Sequence, residues 1–180
     1  NFWPDAVAFK ATLFMYVGEL CRFLVNSPVA PEETDHTLRC AIGNGMRRDV
    51  WEAFQKRFAL KDIVEFYGST EGNVGLVNAY NQPGAVGRVP NYLKHRFNID
   101  LVKFDLDAEM PLRDTNGRCI PCEPGEVGEA IGRIDPDDAR FRFDGYGSKE
   151  DTEKKVLRDV YEEGDAWFRT GDLMSRDKLG

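Results

Sequence analysis

The stretch VEFYGSTEGNVG, residues 64–75, holds two glycines, two hydroxyl side chains and one acid within six residues, directly after an apolar run. In a nucleotide site Tyr67 could stack on a base, and Gly68 would let a ligand approach the backbone. Thr70 could donate a hydrogen bond to a phosphate oxygen, and Glu71 could bind Mg²⁺, which prefers hard oxygen ligands beside phosphates. The alternative is an ordinary β-turn capped by a hydroxyl side chain, and composition alone favours that alternative.

A second glycine-rich turn, AIGNGMR, spans residues 41–47. An apolar run precedes its glycine pair and a helical pattern follows, a layout that suits close approach of the backbone to an anion or a nucleotide. The same layout also serves as an ordinary strand-to-helix connection. By itself this motif is therefore a weak signal.

The segment RTGDL, residues 169–173, places Asp172 in a predicted turn after a strand. Such an aspartate could accept hydrogen bonds from both hydroxyls of a ribose, as acidic residues do in other nucleotide sites. The alternative is a plain Gly-Asp turn, and the segment alone favours that alternative.

The segment CIPC, Cys119 to Cys122, has the spacing of a redox pair. Redox pairs of this kind stand at the start of a helix in a βαβ unit, whereas here a proline and a hairpin signal surround the cysteines. A zinc site would need two more ligands, and the sequence offers no second cysteine pair or nearby histidine. We therefore predict a structural role for both cysteines.

Alternating strand and helix patterns position the two glycine-rich turns in the first half of the chain. Apolar runs predict strands at residues 11–17, 38–43 and 62–68, and helical spacing predicts helices at 18–26 and 47–59. This order implies a parallel sheet, in which ligands bind beyond the carboxyl ends of the strands. We predict an α/β subdomain over residues 1–84 that carries the adenine, phosphate and Mg²⁺ motifs.

After Gly84, glycine and proline become frequent and the apolar runs shorten. These features predict a small antiparallel, β-rich and barrel-like subdomain over residues 85–180. Strand patterns occur at 98–105 and 125–134 and again from residue 165, where a Gly-Asp turn is expected to separate two strands. A hairpin turn is predicted at 116–117. One helix is expected over residues 148–160, with Ser148 as its N-cap and acids in its first turn.

Composition limits the classes of function. The 180 residues are 42% apolar, which is enough for a packed core, and the net charge of −7 argues against a nucleic-acid binder, which normally carries a basic face. No apolar run approaches the length of a membrane span. Four cysteines are few for a disulfide scaffold and favour a reducing, intracellular setting.

In this order along the chain, the segments GNGM, EFYGSTEGN, GEVGEAIGR and FRTGDL resemble the adenylate-forming enzymes. Within that superfamily the sequence resembles the very-long-chain acyl-CoA synthetase and fatty acid transport protein family, through YVGELCRFL, GNGMRRDVW, CIPCEPGE, FDGY and WFRTGDL. The resemblance runs from Phe2 to Gly180. It implies an ATP-dependent ligase, in which a fatty carboxylate attacks the α-phosphate of ATP and coenzyme A then displaces AMP from the acyl-adenylate.

The resemblance also implies which residues bind the nucleoside. Gly43, Asn44 and Gly45 match the segment that lies along the adenosine. Tyr67 matches the aromatic residue that stacks on adenine, and Asp172 matches the acid that binds the ribose.

Four consecutive residues match the phosphate side of the same site. Thr70 corresponds to the hydroxyl that contacts the phosphate and Glu71 to the Mg²⁺ ligand, so both are expected to take part in catalysis. Gly68 and Ser69 precede them in the same nucleotide-binding loop.

Other parts of the family pattern have no counterpart in these 180 residues. A phosphate loop rich in Ser, Thr and Gly is expected upstream, and a C-terminal lid domain with the catalytic lysine is expected downstream. We therefore interpret the sequence as an internal piece of a longer protein and expect the piece alone to have no ligase activity. By resemblance, the acyl pocket lies near the helix from Gly18 and near Gly75.

Two alternatives remain open from the sequence. The longer protein could act in fatty acid uptake or binding without needing its own ligase activity. In either case it is expected to be intracellular and associated with a membrane. It could also activate a different acid, such as an aryl or an amino acid, although the segments specific to the fatty acid family argue against this.

Overall fold

The computed structural model describes residues 2–70 and 72–180. The chain forms two compact units. The first contains the residues up to Tyr67 together with Leu76–Arg88, and the second contains Gly68–Gly75 and Val89–Gly180. The loop that carries Ser69 and Thr70 therefore belongs to the second unit.

The first unit is built on a four-stranded sheet in the order β1-β2-β3-β4, with the strands β1 (Leu13–Val17), β2 (Cys40–Asn44), β3 (Asp62–Gly68) and β4 (Gly75–Asn78). Its helices are α1 (Phe2–Ala8), α2 (Gly18–Asn26) and α3 (Arg48–Phe58), and a short 3₁₀ helix spans Pro31–Thr34. β1 runs parallel to β2, and β2 runs parallel to β3. The predicted parallel α/β arrangement is confirmed.

The apolar core of the first unit lies between the helices and one face of the sheet. α3 contributes Val50, Trp51, Phe54 and Phe58, all buried, at the spacing of one helix face. Truncating a fully buried phenylalanine such as Phe54 costs about 3–5 kcal/mol. This layer of helices fixes the sheet, and with it the turns that follow the strands.

The second unit contains a five-stranded antiparallel sheet in the order β6-β5-β7-β9-β8. The strands are β5 (Ile99–Asp105), β6 (Met110–Pro111), β7 (Val127–Arg133), β8 (Val156–Arg158) and β9 (Ala166–Ser175), and the helix α4 spans Lys149–Lys155. A 3₁₀ helix occupies Asn91–Arg96. The predicted antiparallel, β-rich character of this part of the chain is confirmed.

The predicted helix over residues 148–160 is shorter in the structure. The hydroxyl of Ser148 accepts a hydrogen bond from the backbone N–H of Asp151 at 3.3 Å, so Ser148 is the N-cap as predicted. The helix ends at Lys155 because the next residues form β8, where Leu157 is buried and pairs with β9. Local pattern could not show this pairing with a distant strand.

α1 and β4 are among the elements that were not predicted from the sequence. α1 is a helix of seven residues that buries Trp3 and Ala6, and β4 is a strand of four residues beside β3. Both are too short for a clear periodic signal. In the part of the chain that the structure describes, no helix has the length and apolar character needed to cross a membrane.

Candidate functional site

The predicted site residues fall into two groups, one in each unit. In the first unit, Gly43 and Asn44 end β2 and Gly45 follows, while Tyr67 lies near the end of β3. β2 and β3 run parallel, with Gly43 opposite Glu65, so their carboxyl ends lie at the same edge of the sheet. The structure therefore brings the glycine-rich turn and Tyr67 to one edge, where ligands bind in open α/β sheets.

The turn after β2 packs closely against β1 and α2. A Cβ on Gly43 would lie 2.6 Å from Cγ of the Tyr16 ring, and a Cβ on Gly18 would overlap the carbonyl oxygen of Gly45. Gly45 itself has φ +76°, a conformation that favours glycine. Close packing within the protein therefore requires glycine at positions 18 and 43, and the backbone conformation favours it at Gly45.

Glu65 is a residue of this edge that the sequence analysis missed. It lies on β3, is 3% exposed, and points to the same side of the strand as the buried Ile63. Its Oε1 accepts a hydrogen bond from the backbone N–H of Met46 at 3.0 Å, and its Oε2 accepts one from the hydroxyl of Tyr16. The available signal was an acid at the centre of the run DIVEFYG, between apolar residues.

The loop Gly68–Gly75 is held within the second unit. The hydroxyl of Ser69 accepts a hydrogen bond from the backbone N–H of Gly72 at 3.0 Å, which is the local geometry of a hydroxyl-capped turn. The amide of Asn73 donates to the carbonyl oxygens of Arg133 and Phe141 at 2.8 and 3.0 Å. These bonds tie the loop to the end of β7.

Thr70 and Gly68 are exposed in this loop, and Tyr67 near the end of β3 is half-buried. Glu71, the predicted Mg²⁺ ligand, lies outside the described residues. Within residues 2–70 and 72–180, no group of three His, Cys, Asp or Glu side chains is arranged to hold a metal ion. The assignment of Glu71 to Mg²⁺ therefore stays a prediction from the sequence.

Asp172 is exposed and lies on β9. The prediction of a turn that ends a strand at this position is wrong. β9 continues from Ala166 to Ser175, and its register against β7 shifts between the pairs Ile131–Arg169 and Glu129–Leu173. Between these two pairs β9 advances by four residues and β7 by only two, so β9 forms a bulge. The Gly-Asp pair that resembled a turn is the centre of this bulge.

The hydroxyl of Thr170 organises the bulge. It donates a hydrogen bond to the carbonyl oxygen of Ala130 at 2.7 Å and accepts one from the backbone N–H of Asp172 at 3.0 Å. Gly171 has φ +80°, which permits the sharp local bend. The bulge thus fixes the backbone position of Asp172.

A buried ion pair supports the same strand. Glu129 on β7 is 1% exposed, and both of its oxygens accept hydrogen bonds from the guanidinium of Arg169, at 2.8 to 3.1 Å. A guanidinium that binds both oxygens of a carboxylate fixes the orientation of that carboxylate as well as pairing its charge. Local sequence pattern does not reveal this pair, because its members are 40 positions apart.

A cavity of about 470 Å³ in the second unit shares Gly171 with the bulge. Its charged lining consists of Lys154, Lys155 and Arg169 against Glu109 and Glu129. Lys154 and Arg169 already pair with acids of the protein. The mixed charge gives the cavity no clear preference for an anionic ligand.

Cys119 and Cys122 are buried free cysteines in the second unit, beside the hairpin turn at Gly117. Burial raises the pKa of both thiols, so both are largely protonated at neutral pH. Cys119 belongs to the apolar core with Val102 and Ile131. These features agree with the predicted structural role.

Sequence comparisons show which known proteins the chain is similar to. The signature described as "AMP-binding enzyme" matches residues 1–132. "Long-chain fatty acid transport protein 1" of Mus musculus is 43% identical over 180 residues, which is 100% of this chain and 28% of that protein. "Long-chain fatty acid transport protein 2" of Rattus norvegicus is 46% identical over 99% of this chain and 28% of its own length. The chain thus spans less than a third of these relatives.

Solved structures share the fold. A benzoate CoA ligase from Burkholderia xenovorans LB400 matches with a TM-score of 0.64 and 24% identity, over 99% of this chain and 32% of that one. ATP-bound MatB from Rhodopseudomonas palustris matches with a TM-score of 0.67 and 22% identity, over 98% of this chain and 30% of that one. At this identity the likeness establishes the fold and leaves the substrate to other arguments.

Proposed function

The chain belongs to the AMP-binding enzyme family, and from this premise we propose that it is part of an ATP-dependent fatty acid–CoA ligase. The observation that carries the proposal is the similarity to fatty acid transport proteins over the whole chain, at 43% and 46% identity. The glycine-rich turn and Tyr67 at one edge of the parallel sheet support it. Fatty acid, ATP and coenzyme A would be the substrates of the longer protein.

The reaction has two steps. A fatty carboxylate attacks the α-phosphorus of ATP and forms an acyl-adenylate, with pyrophosphate as the leaving group. The thiol of coenzyme A then attacks the acyl carbon, forms the thioester and releases AMP. Displacement at phosphorus depends mainly on positioning and on neutralising charge, so the protein must hold the nucleotide rather than react with it.

The first unit would bind the nucleobase. The backbone of Gly43, Asn44 and Gly45 would lie along the adenosine, and Tyr67, half-buried at the same edge, would stack on adenine. Their shared position at the carboxyl ends of β2 and β3 supports this assignment.

The second unit would bind the ribose and the phosphates. The carboxylate of Asp172, held on the bulge of β9, would accept hydrogen bonds from the ribose hydroxyls. Thr70 would donate to a phosphate oxygen, with Gly68 and Ser69 shaping the loop. Mg²⁺ bound by Glu71 would neutralise phosphate charge.

The proposal concerns the longer protein, since this chain covers 28% of its relatives. We propose that the 180 residues alone have no ligase activity, because the predicted phosphate loop and lysine-bearing domain are not among them. We also propose that the longer protein is intracellular, because the chain has few cysteines, and associated with a membrane, because its relatives are named as transport proteins.

The test is pyrophosphate exchange into ATP, measured in the full-length protein with a panel of acids of increasing chain length. Exchange with long-chain fatty acids supports the proposal, and exchange with aryl or amino acids alone would refute it. Asp172→Ala removes an acceptor of charge-assisted hydrogen bonds, so KM for ATP should rise by about tenfold or more. Asp107→Ala, an exposed aspartate in the turn after β5, is the matched control and should leave KM unchanged.

A second candidate is fatty acid uptake that does not need the protein's own ligase activity. The relatives are named as fatty acid transport proteins, which favours this candidate. Uptake of a labelled fatty acid by cells that carry the Glu71→Ala variant, which should lose adenylation together with the proposed Mg²⁺ ligand, separates the two candidates. Normal uptake by a variant without adenylation would favour this second candidate over the ligase.

A further inference from the structure

Glu65 places a carboxylate where the fold otherwise puts apolar groups. On β3, Ile63 and Glu65 are 1% and 3% exposed and share one side of the strand, the side that the helices cover. The buried side chains Trp51 and Phe54 of α3 belong to the same core. A buried carboxylate is unfavourable unless hydrogen bonds satisfy its oxygens. The contacts of Glu65 must therefore stabilise it in this buried position.

Both oxygens of Glu65 are satisfied by neutral donors. Oε1 accepts from the backbone N–H of Met46 at 3.0 Å, and Oε2 accepts from the hydroxyl of Tyr16, which is 3% exposed. Burial, followed by the hydrogen bond to Glu65, raises the pKa of Tyr16, so its hydroxyl stays protonated and remains a donor. Glu65 thus links β3 to β1 and to the turn after β2.

The bond to Met46 acts on the peptide that directly follows Gly45. That peptide lies in a tight space, because a Cβ on Gly18 would lie 2.7 Å from the nitrogen of Met46. Gly45 has φ +76°, and Met46 is 5% exposed. The carboxylate therefore fixes the orientation of the peptide that ends the segment Gly43–Gly45.

We propose that Glu65 is a positioning residue for the nucleotide. By holding the peptide between Gly45 and Met46 it sets the position of the segment Gly43–Gly45, along which the adenosine would lie. This inference rests on the proposed nucleotide site, but it does not depend on which acid is activated. Glu65 acts through the turn and does not touch the reacting atoms.

The test measures two properties of the full-length protein, the Kd for AMP by equilibrium binding and the hydrogen exchange rate of the Met46 amide. Glu65→Ala should raise the Kd roughly 10- to 100-fold, because a hydrogen bond to a charged group is lost, and should speed exchange at Met46. Glu65→Gln keeps an amide oxygen for Met46 and should raise the Kd less than about fivefold. Tyr16→Phe should give an intermediate effect.

Ile63→Ala is the matched control, since Ile63 is buried on the same strand but has no polar contact with the turn. It should lower stability, as a core truncation does, and leave the Kd for AMP unchanged. This separates positioning from a general loss of stability. If Glu65→Ala fails to fold, Glu65→Gln and Tyr16→Phe carry the test.

The proposal is overturned if Glu65→Ala, or both milder variants, bind AMP as tightly as the wild type. It is also overturned if Ile63→Ala weakens binding as much as they do. AMP binding that depends on Glu65, without pyrophosphate exchange for any acid, would refute the ligase and support this inference. A wild-type protein that does not bind AMP would refute both.

Discussion

Replacing Arg169 with methionine should destabilise the second unit far more than removing a typical surface arginine. Arg169 holds both oxygens of Glu129, whose side chain is 1% exposed, and the side chain of Arg169 is 23% exposed. Removing one partner of a buried pair leaves an uncompensated charge and costs about 3–5 kcal/mol. Because Arg169 is partly exposed, we expect a loss of about 3 kcal/mol.

Hydrogen exchange of the amides of β7 and β9, followed by mass spectrometry on the full-length protein, measures this loss. At 1.4 kcal/mol per tenfold, protection of these strands should fall by about 150-fold. The matched control is Arg142→Met, whose partner is Asp144 in a pair with side chains 59% and 80% exposed. An exposed pair is worth about 0–1 kcal/mol, so the control should lose less than about fivefold.

A double variant distinguishes charge from packing. With Glu129 also changed to methionine, no unpaired charge remains, and most of the protection should return because apolar groups of similar volume replace buried pairs well. The reasoning is refuted if Arg169→Met costs no more than Arg142→Met. It is also refuted if the double variant is as weak as the single one.

Three further predictions follow from the packing of both units. Gly18→Ala should destabilise the first unit by about 1–3 kcal/mol in thermal unfolding, since the new Cβ would overlap the carbonyl oxygen of Gly45. An unchanged stability would contradict the close approach. Burial opposes ionisation of Asp165, but hydrogen bonds from nearby backbone amides and from Trp167 lower its pKa. The stabilisation by Asp165 is therefore complete above the ordinary aspartate pKa of about 3.9 and is lost as the pH falls through the lower pKa of the folded state. The stability difference between wild type and Asp165→Asn should therefore shrink in acid, and a constant difference would contradict this. Burial, and then the charge of Glu65, raises the pKa of Cys21 to about 12. When the native protein is alkylated at pH 8, mass spectrometry should therefore find Cys21 unmodified, and rapid labelling would contradict its burial.

The parallel part of the fold could be predicted well from local sequence. The helix Gly18–Asn26 and the strand Asp62–Gly68 have the predicted bounds, because their apolar spacing and flanking glycines are local signals. The position of Tyr67 at the carboxyl edge followed from the same pattern. Short elements such as α1 carry too few periods to be detected.

Long-range contacts explain what local pattern could not show. The segment RTGDL reads as a turn, yet β9 continues through it because Thr170 binds the carbonyl oxygen of Ala130 on the neighbouring strand. Likewise, Glu65 and Arg169 acquire their partners only when strands far apart in sequence meet. The motifs indicated which residues we propose to face a ligand. The residues that hold those motifs in place could be identified only in the folded structure.

The most direct test of the proposed function is to identify what the full-length protein makes when coenzyme A is omitted. The protein is mixed with ATP and a long-chain fatty acid, and the products are identified by mass spectrometry and by ion chromatography. A ligase of the proposed kind gives acyl-adenylate and pyrophosphate in amounts close to that of the enzyme, and added coenzyme A converts the adenylate to acyl-CoA and AMP. Formation of ADP and phosphate, or no acyl-adenylate with any fatty acid, would contradict the proposal.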